Sequence, residues 1–344
     1  MSNQHQNGDA QASPTDQMLR MMSGFWVSRG IYTVAKLGVA DHLRDGAKTP
    51  AELAAAVGAH ADSLNRVMRM LATVGVFRHD GDDRYALTPL AETLATDAPN
   101  SLRWFAIVEM GDEHYDAWGN LLHSVKTGEI AFDSLFGMNA WEYYEQNPEN
   151  ARNFNNSMAN TTQFVNKAVV EAYDFSDCQK LVDVGGGLGS MTAAIMVANP
   201  HLAGVVFDAP SVVEKSRGFL DEAGVGKRCE VVGGDFFEAV LPSGDVYTMR
   251  WIIHDWDDAR SLKLLKNIRR VTPENGRLLL VEAVMPPNEQ PHFSKFMDLI
   301  MLTMTGGRER TEHEYEVLLS KAGFKLSRVV PTASDFSIIE AVPA

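Results

Sequence analysis

Cysteine is scarce in this 344-residue chain: there are two, Cys178 and Cys229. Two thiols cannot make a disulfide framework or, by themselves, a metal cage, and they fit a reducing compartment. Long apolar runs are also missing, so no stretch reads as a membrane span. The first residues, MSNQHQNGDAQASPTD, lack the basic-then-apolar layout of a secretory signal and read as a disordered polar tail over 1–15. The chain is therefore expected to be cytoplasmic, with no membrane partner. Positive charge is in deficit as well: 31 Lys and Arg stand against 45 Asp and Glu, a formal net charge of -14. Such a chain repels phosphate backbones, so nucleic acid is not an expected partner.

What is present is globular. The apolar fraction is 45%, and the length suits two domains. After the tail, MLRMMSGFWVSRGIYTVAKLGVADHL has helical spacing. The next stretch, from TPAELAAAV to YALTPL, reads as helix, turn, helix and hairpin, with HDGDD as the hairpin turn. That is winged-helix grammar. Arg66 and Arg69 on its second helix raise the possibility of DNA binding, but Asp62, Asp80, Asp82 and Asp83 surround them. Base readout needs phosphate anchoring first, so a packing module is the better reading.

Residues 101–166 continue in helical pattern, rich in aromatics and methionine. Near Lys167 the grammar changes. KLVDVGGG, LAGVVFDAP, CEVVGGDFF, DVYTMRWIIHDW, RLLLVEAVMP and DFSIIEAVP are short β-branched strands separated by helical stretches. This alternation predicts an α/β, Rossmann-like doubly wound domain over 167–344, built on a parallel sheet. It follows a mostly helical, winged-helix-like domain over 16–166.

Ligands in such a sheet gather at the carboxyl ends of the strands. The first strand ends in VDVGGGLGS, where Gly185 and Gly187 let a ligand lie against bare amides before a helix begins near Ser190. A glycine-rich turn alone is shared by nicotinamide, flavin and S-adenosylmethionine (SAM) enzymes. Asp183, just before the glycines, would repel a pyrophosphate but suits a cofactor bearing ammonium and sulfonium cations. Ser190 also stands where a dinucleotide fingerprint wants Gly or Ala. SAM is favoured. Asp208 ends the second strand, placed for both ribose hydroxyls. The third ends in Gly234, Asp235 and Phe236, an acceptor for an adenine amino group and a ring for its face. Each aspartate alone could be a turn residue; three in successive units are harder to dismiss.

The strand DVYTMRWII delivers His254 to the same edge, the address of a general base. Asp255 and Asp257 or Asp258 behind it suit structural work, capping the next helix and fixing the turn, and Arg250 can reach a cofactor carboxylate or backbone. Glu282 ends the next strand, where a lone carboxylate is costly unless paired. Glu309 lies in GGRERTEHE, beside a capping box formed by Thr311 and Glu314. If both glutamates approach His254, one can hold the Nδ1 proton and leave Nε2 free. A phenol near pKa ~10 giving its proton to a histidine near ~6.5 faces a climb of about 5 kcal/mol, which neighbouring carboxylates reduce.

LVDVGGGLG, FDAPSVV, GGDFF, RWIIHDWDD and GGRERTEHEYEVLLSKAGF stand in the order found in the caffeic acid/acetylserotonin type of SAM-dependent O-methyltransferases. SVKTGEIAF, WEYYEQNPE and FNNSM resemble the helical half of its bacterial members, the polyketide, phenazine and carotenoid methyltransferases. The resemblance spans nearly the whole chain after the tail. It implies an N-terminal winged-helix-like dimerisation domain that completes the active site, a SAM-binding C-terminal domain yielding S-adenosylhomocysteine, and no metal. By position, His254 resembles the family's base, flanked by Glu282 and Glu309. Gly185, Asp208, Asp235, Phe236 and Arg250 match cofactor-contact positions, although many plant relatives have lysine at the position of Arg250. Met158 and Met301 fall where relatives line the acceptor pocket, with His114 and Trp118 as further lining candidates. The expected reaction is methylation of a hydroxyl, phenolic in kind, on an aromatic small molecule by a homodimer. Alternatives are N-methylation or hydroxylation by a SAM-binding relative, and a winged-helix DNA-binding regulator.

Overall fold

The computed structural model describes residues 13–99 and 101–344, with residues 159–161 described by backbone alone. Of the tail expected at 1–15, residues 1–12 lie outside the described residues. Pro14 already opens a helix, Pro14–Met22, capped by the Ser13 hydroxyl. The chain forms two compact units, 1–111 and 112–344.

In the first unit the helices Gly24–Leu37, Pro50–Val57 and Ala61–Thr73 precede a hairpin of β1 (Phe77–His79) and β2 (Tyr85–Leu87). The order is that of a winged helix. Thr49 and Glu52 close a capping box on Pro50–Val57, and Val34, Leu53, Met68, Leu71 and Phe77 fill the core between helices and hairpin. The outward face of the first two helices is different. Met18, Met21, Met22, Phe25 and Trp26 are all more than half exposed.

The second unit carries a seven-stranded sheet in the order β10-β11-β7-β6-β3-β4-β5. Its strands are β3 (Lys180–Val184), β4 (Ala203–Asp208), β5 (Cys229–Gly233), β6 (Val246–Arg250), β7 (Arg277–Glu282), β10 (Phe324–Pro331) and β11 (Ser337–Pro343); the short pair β8 (Val284–Met285) and β9 (Arg310–Thr311) lies apart. β3 to β7 are parallel. From β3 the chain builds outward through β4 and β5, then returns to start β6 on the other side, so the switch point lies between β3 and β6. Buried aliphatic residues on both faces, such as Leu181, Val182 and Val184 in β3, reflect cover by helices on each side.

The C-terminal edge departs from the all-parallel expectation. β11 inserts antiparallel between β7 and β10, because a hairpin connection from β10 forces reversal. β10 itself lies at the edge, alternately exposed. The helices of 112–172 belong to this second unit. The long helix Pro148–Ala172 packs on the helix Ser190–Ala198, burying Val165 and Val169 beside Met191.

Candidate active site

Beyond β3 the backbone turns at Gly185, where φ is +74° and a Cβ would meet Ile252 Cδ1 at 2.4 Å. Only glycine suits both demands. The amides of Gly185 and Gly186 donate to the carbonyl of Phe207 at the end of β4 (2.8 and 3.3 Å). Gly187 N donates to Asp208 Oδ2 and Ala209 N to Asp208 Oδ1, each at 2.7 Å. Burial raises the Asp208 pKa while these two amides pull it down. A helix starts at Ser190 directly behind this loop, and Gly234 N donates to the Asp208 carbonyl. Asp235 is exposed and takes the amide of Phe237 at 2.8 Å; Phe236 is half-buried beside Phe237.

Asp183 has turned inward. Its oxygens accept from the hydroxyls of Thr192 (2.7 Å) and Thr248 (2.9 Å), and its pKa is raised by burial. Arg250, at the end of β6, donates to Asn166 Oδ1 and lies over the Trp251 ring. Burial lowers the Arg250 pKa to about 10, with Asp183 opposing. Arg250 Nε and Trp251 Nε1 are both buried without an acceptor among the described residues.

Trp251 adopts a left-handed φ of +55°, which breaks β6 and bends the chain into a short turn, Ile253–Asp255. Glu282 Oε1 anchors the bend by accepting from Ile252 N (3.1 Å) and Ile253 N (2.9 Å). His254 is 4% exposed. Its Nδ1 lies 2.8 Å from Glu309 Oε1 and 3.9 Å from Glu282 Oε2; its Nε2 lies 3.7 Å from Asp255 Oδ1. An ionised carboxylate only accepts, so Nδ1 carries the proton in the pair with Glu309. Asp298 Oδ1 holds Glu309 in turn, taking its backbone amide at 2.9 Å. Glu282 Oε2 and Glu309 Oε2 are buried and accept no hydrogen bond from the described residues.

The electrostatics follow from this crowding. Burial works to lower the His254 pKa, but Glu282, Asp255 and the hydrogen-bonded Glu309 raise it to about 10. Burial raises Glu282 to about 7 and Asp255 to about 6, each restrained by the imidazole.

The fold thus brings together His254, Glu282 and Glu309, three residues drawn from separate parts of the sequence. The acceptor-side candidates are more dispersed. Met301 is buried on the helix Ser294–Met304, which also carries Asp298. His114, buried on the helix Asp112–Gly119, has Nε2 3.2 Å from the Tyr144 hydroxyl, and Tyr144 stacks on Phe154. Trp118 and Met158 are partly buried. A cavity of about 390 Å³ is lined by Ile130, Asp133, Trp141, Phe237, Trp256 and Met304 among others; neither His254 nor any of these four lines it. At the His254 turn Asp257 takes the capping role, whereas Asp255, expected to cap or fix the turn, sits beside the ring, and Arg310 was not expected there at all. Asp255 faces Nε2, and Arg310 is almost fully buried beneath the turn. The glycine pair before RERT hinted at close backbone approach, but nothing in the sequence distinguished a buried arginine from a solvated one.

A doubly wound sheet with a C-terminal antiparallel hairpin, and a glycine loop and a histidine at its switch point, defines a Rossmann-like methyltransferase fold. Residues 118–325 match the O-methyltransferase domain, and residues 19–97 match the O-methyltransferase dimerisation domain. The chain belongs to the O-methyltransferase family. It is 45% identical to the phenazine O-methyltransferase PhzM of Lysobacter antibioticus, over 98% of this chain and 99% of that one. The crystal structure of LaPhzM superposes with a TM-score of 0.92 at 45% identity, covering 97% of this chain and 100% of the other. NcsB1, an O-methyltransferase from neocarzinostatin biosynthesis solved with SAM and 2-hydroxy-5-methyl naphthoic acid, is 32% identical. Its TM-score is 0.84, covering 95% of this chain and 98% of that one. Among the described residues no helix is long and apolar enough to cross a membrane.

Proposed function

We propose that this protein uses SAM to methylate a phenolic hydroxyl on an aromatic small molecule, as a homodimer, with His254 as general base. The observation that carries the reading is the anchored imidazole: Glu309 engages Nδ1, which leaves Nε2 as the ring's accepting atom. The aromatic acceptor rests on the relatives, named for a phenazine and solved with a naphthoic acid. The homodimer rests on the match to a dimerisation domain and on the exposed apolar face of the first two helices.

The residues present suit this cofactor. Gly185 and Gly187 leave the β3 turn without side chains, and Asp208 keeps unused lone pairs beside its two amides. Arg250 Nε and Trp251 Nε1, both buried without acceptors, offer donors to a carboxylate. Asp183, Gly234, Asp235 and Phe236 complete the cofactor side, with Asp183 acting from behind through Thr192 and Thr248. When bound, SAM supplies an electrophilic methyl group on a sulfonium.

With SAM held there, the acceptor oxygen would take the methyl as the carbon–sulfur bond breaks and S-adenosylhomocysteine leaves, and His254 Nε2 would take the hydroxyl proton. The charge forming on the imidazolium is balanced by Glu309 and Glu282. With its proton affinity raised towards that of a phenol near pKa ~10, the imidazole accepts the proton with little of the climb that free histidine faces. Met301, Met158, His114 and Trp118 are assigned to the acceptor side, where they exclude water and orient the ring.

Replacement of His254 by Gln keeps a side-chain amide that can still donate to Glu309. Turnover is expected to fall about 100- to 10,000-fold while the SAM dissociation constant, measured by calorimetry, stays near that of the parent. Turnover within a few-fold of the parent would reject His254 as the base. Mass spectrometry of the product checks the reaction: one added methylene agrees with transfer, and added oxygen does not.

A further inference from the structure

The segment 307–310 does more than present Glu309. A Cβ on Gly307 would lie 1.9 Å from the His254 carbonyl oxygen and 2.5 Å from the Asp255 carbonyl carbon, so only glycine permits this approach. Arg308 N donates to that same His254 carbonyl at 2.8 Å. Arg310, 1% exposed, then reaches under the turn. Its Nη1 donates to the Ile253 carbonyl (3.1 Å) and its Nη2 to the Trp256 carbonyl (3.0 Å), one on each side of His254. Nε and Nη2 both donate to Asp258 Oδ1, at 3.1 and 2.8 Å, and Nη2 also reaches Ser261 Oγ at 3.4 Å.

We infer that Arg310 is a positioning residue: its guanidinium locks the Ile253–Trp256 turn onto the segment carrying Glu309 and so fixes His254 Nδ1 against that glutamate. The inference rests on the reading of His254 as base. Stability alone is a poor account of this arginine. Burying a guanidinium is costly, its ionic partner Asp258 is 64% exposed, and its other bonds go to neutral groups: the Ile253, Trp256 and Arg308 carbonyls and the Ser261 hydroxyl. What a planar fork of five donors provides is geometry: several carbonyls held at once at fixed angles, which a single ammonium cannot match.

The test is Arg310→Lys in the full-length protein, with Asp258→Ala beside it in case the lysine variant does not fold. Asp258 is largely exposed, so its removal loosens Arg310 without opening the core. Each variant is read by its melting temperature, by acceptor kinetics, and by the downfield Nδ1–H proton resonance of His254 in protein labelled with ¹⁵N-histidine. For Arg310→Lys, kcat is expected to fall about 100-fold with acceptor KM and SAM affinity little changed, and the Nδ1–H resonance to shift upfield or broaden away. Asp258→Ala is expected to move both readouts in the same direction, kcat by several-fold. An unchanged resonance in the folded variants overturns the inference, whether or not the melting temperature falls. So does a KM effect with kcat intact. The resonance does not depend on turnover, so an active His254→Gln enzyme would sink the base while leaving this geometric claim separately testable.

Discussion

Two strand ends in the same sheet each bury a carboxylate, and they use it in opposite ways. At β3, Asp183 gives both oxygens to threonine hydroxyls and leaves neither bare. At β7, Glu282 spends one oxygen on the amides of Ile252 and Ile253 and keeps the other free, 3.9 Å from the His254 ring. Both are essentially inaccessible to water, so burial does not separate scaffold from working group. An oxygen without a hydrogen-bond partner does. A buried acid whose two oxygens are both engaged by hydroxyls of the fold holds elements in place, while one with a bare oxygen beside a titratable partner stores charge for that partner.

The contrast fails first, if it fails, at the glutamates. Glu309→Gln removes the partner at 2.8 Å from Nδ1, and an amide can present either its oxygen or its NH₂ to the ring. The wrong orientation selects the wrong tautomer, so kcat should fall about 100-fold in single-turnover assays with an aromatic acceptor. Wild-type kcat under either chemistry would remove the need for an oriented imidazole.

Glu282→Gln should cost less, about tenfold, because the group acts at 3.9 Å and through charge. Its sharper sign is in the pH profile. In the proposed role of base His254 must be neutral, and the surrounding Glu282, Asp255 and Glu309 raise its pKa to about 10. Activity of the parent therefore rises with pH from neutrality upward and is lost as pH falls through that pKa. Removing the Glu282 charge removes one raising influence, so the ascending limb of kcat against pH moves to lower pH as its plateau drops. A limb that stays in place would show that Glu282 does not set the proton affinity of the ring.

Much of this arrangement could be read from residue patterns because strand ends announce themselves. The runs of β-branched residues stop at Gly185, Asp208, Asp235, His254 and Glu282, and the carboxyl edge of a parallel sheet gathers whatever follows. The capping box at Thr311 and Glu314 was also local and is present. What escaped depended on partners distant in sequence. Arg310 sits in a run of charges that reads as a solvated loop; its burial depends on carbonyls more than fifty residues away. β10 escaped because its alternating polar residues suit an edge. The helices of 112–172 share their helical grammar with the preceding residues, yet they pack in the unit of the sheet. Periodicity reports which face of a helix is apolar and not what covers it.

Asp183→Asn tests the quiet side of the comparison and should give the smallest effect on chemistry. The asparagine amide can satisfy both threonines, accepting from one hydroxyl and donating to the other once it rotates. The loss is one buried charge and the attraction it exerts on Arg250, which restrains the lowering of the Arg250 pKa. If Asp183 serves the cofactor side only from behind, the variant should lose ~1–3 kcal/mol of stability, seen as an earlier midpoint in denaturant. KM for SAM should rise several-fold and kcat at saturating SAM should hold. A fall in kcat at saturating SAM with an unmoved denaturation midpoint would put Asp183 among the groups that act on the reacting atoms, and the distinction drawn between engaged and bare oxygens would not survive it.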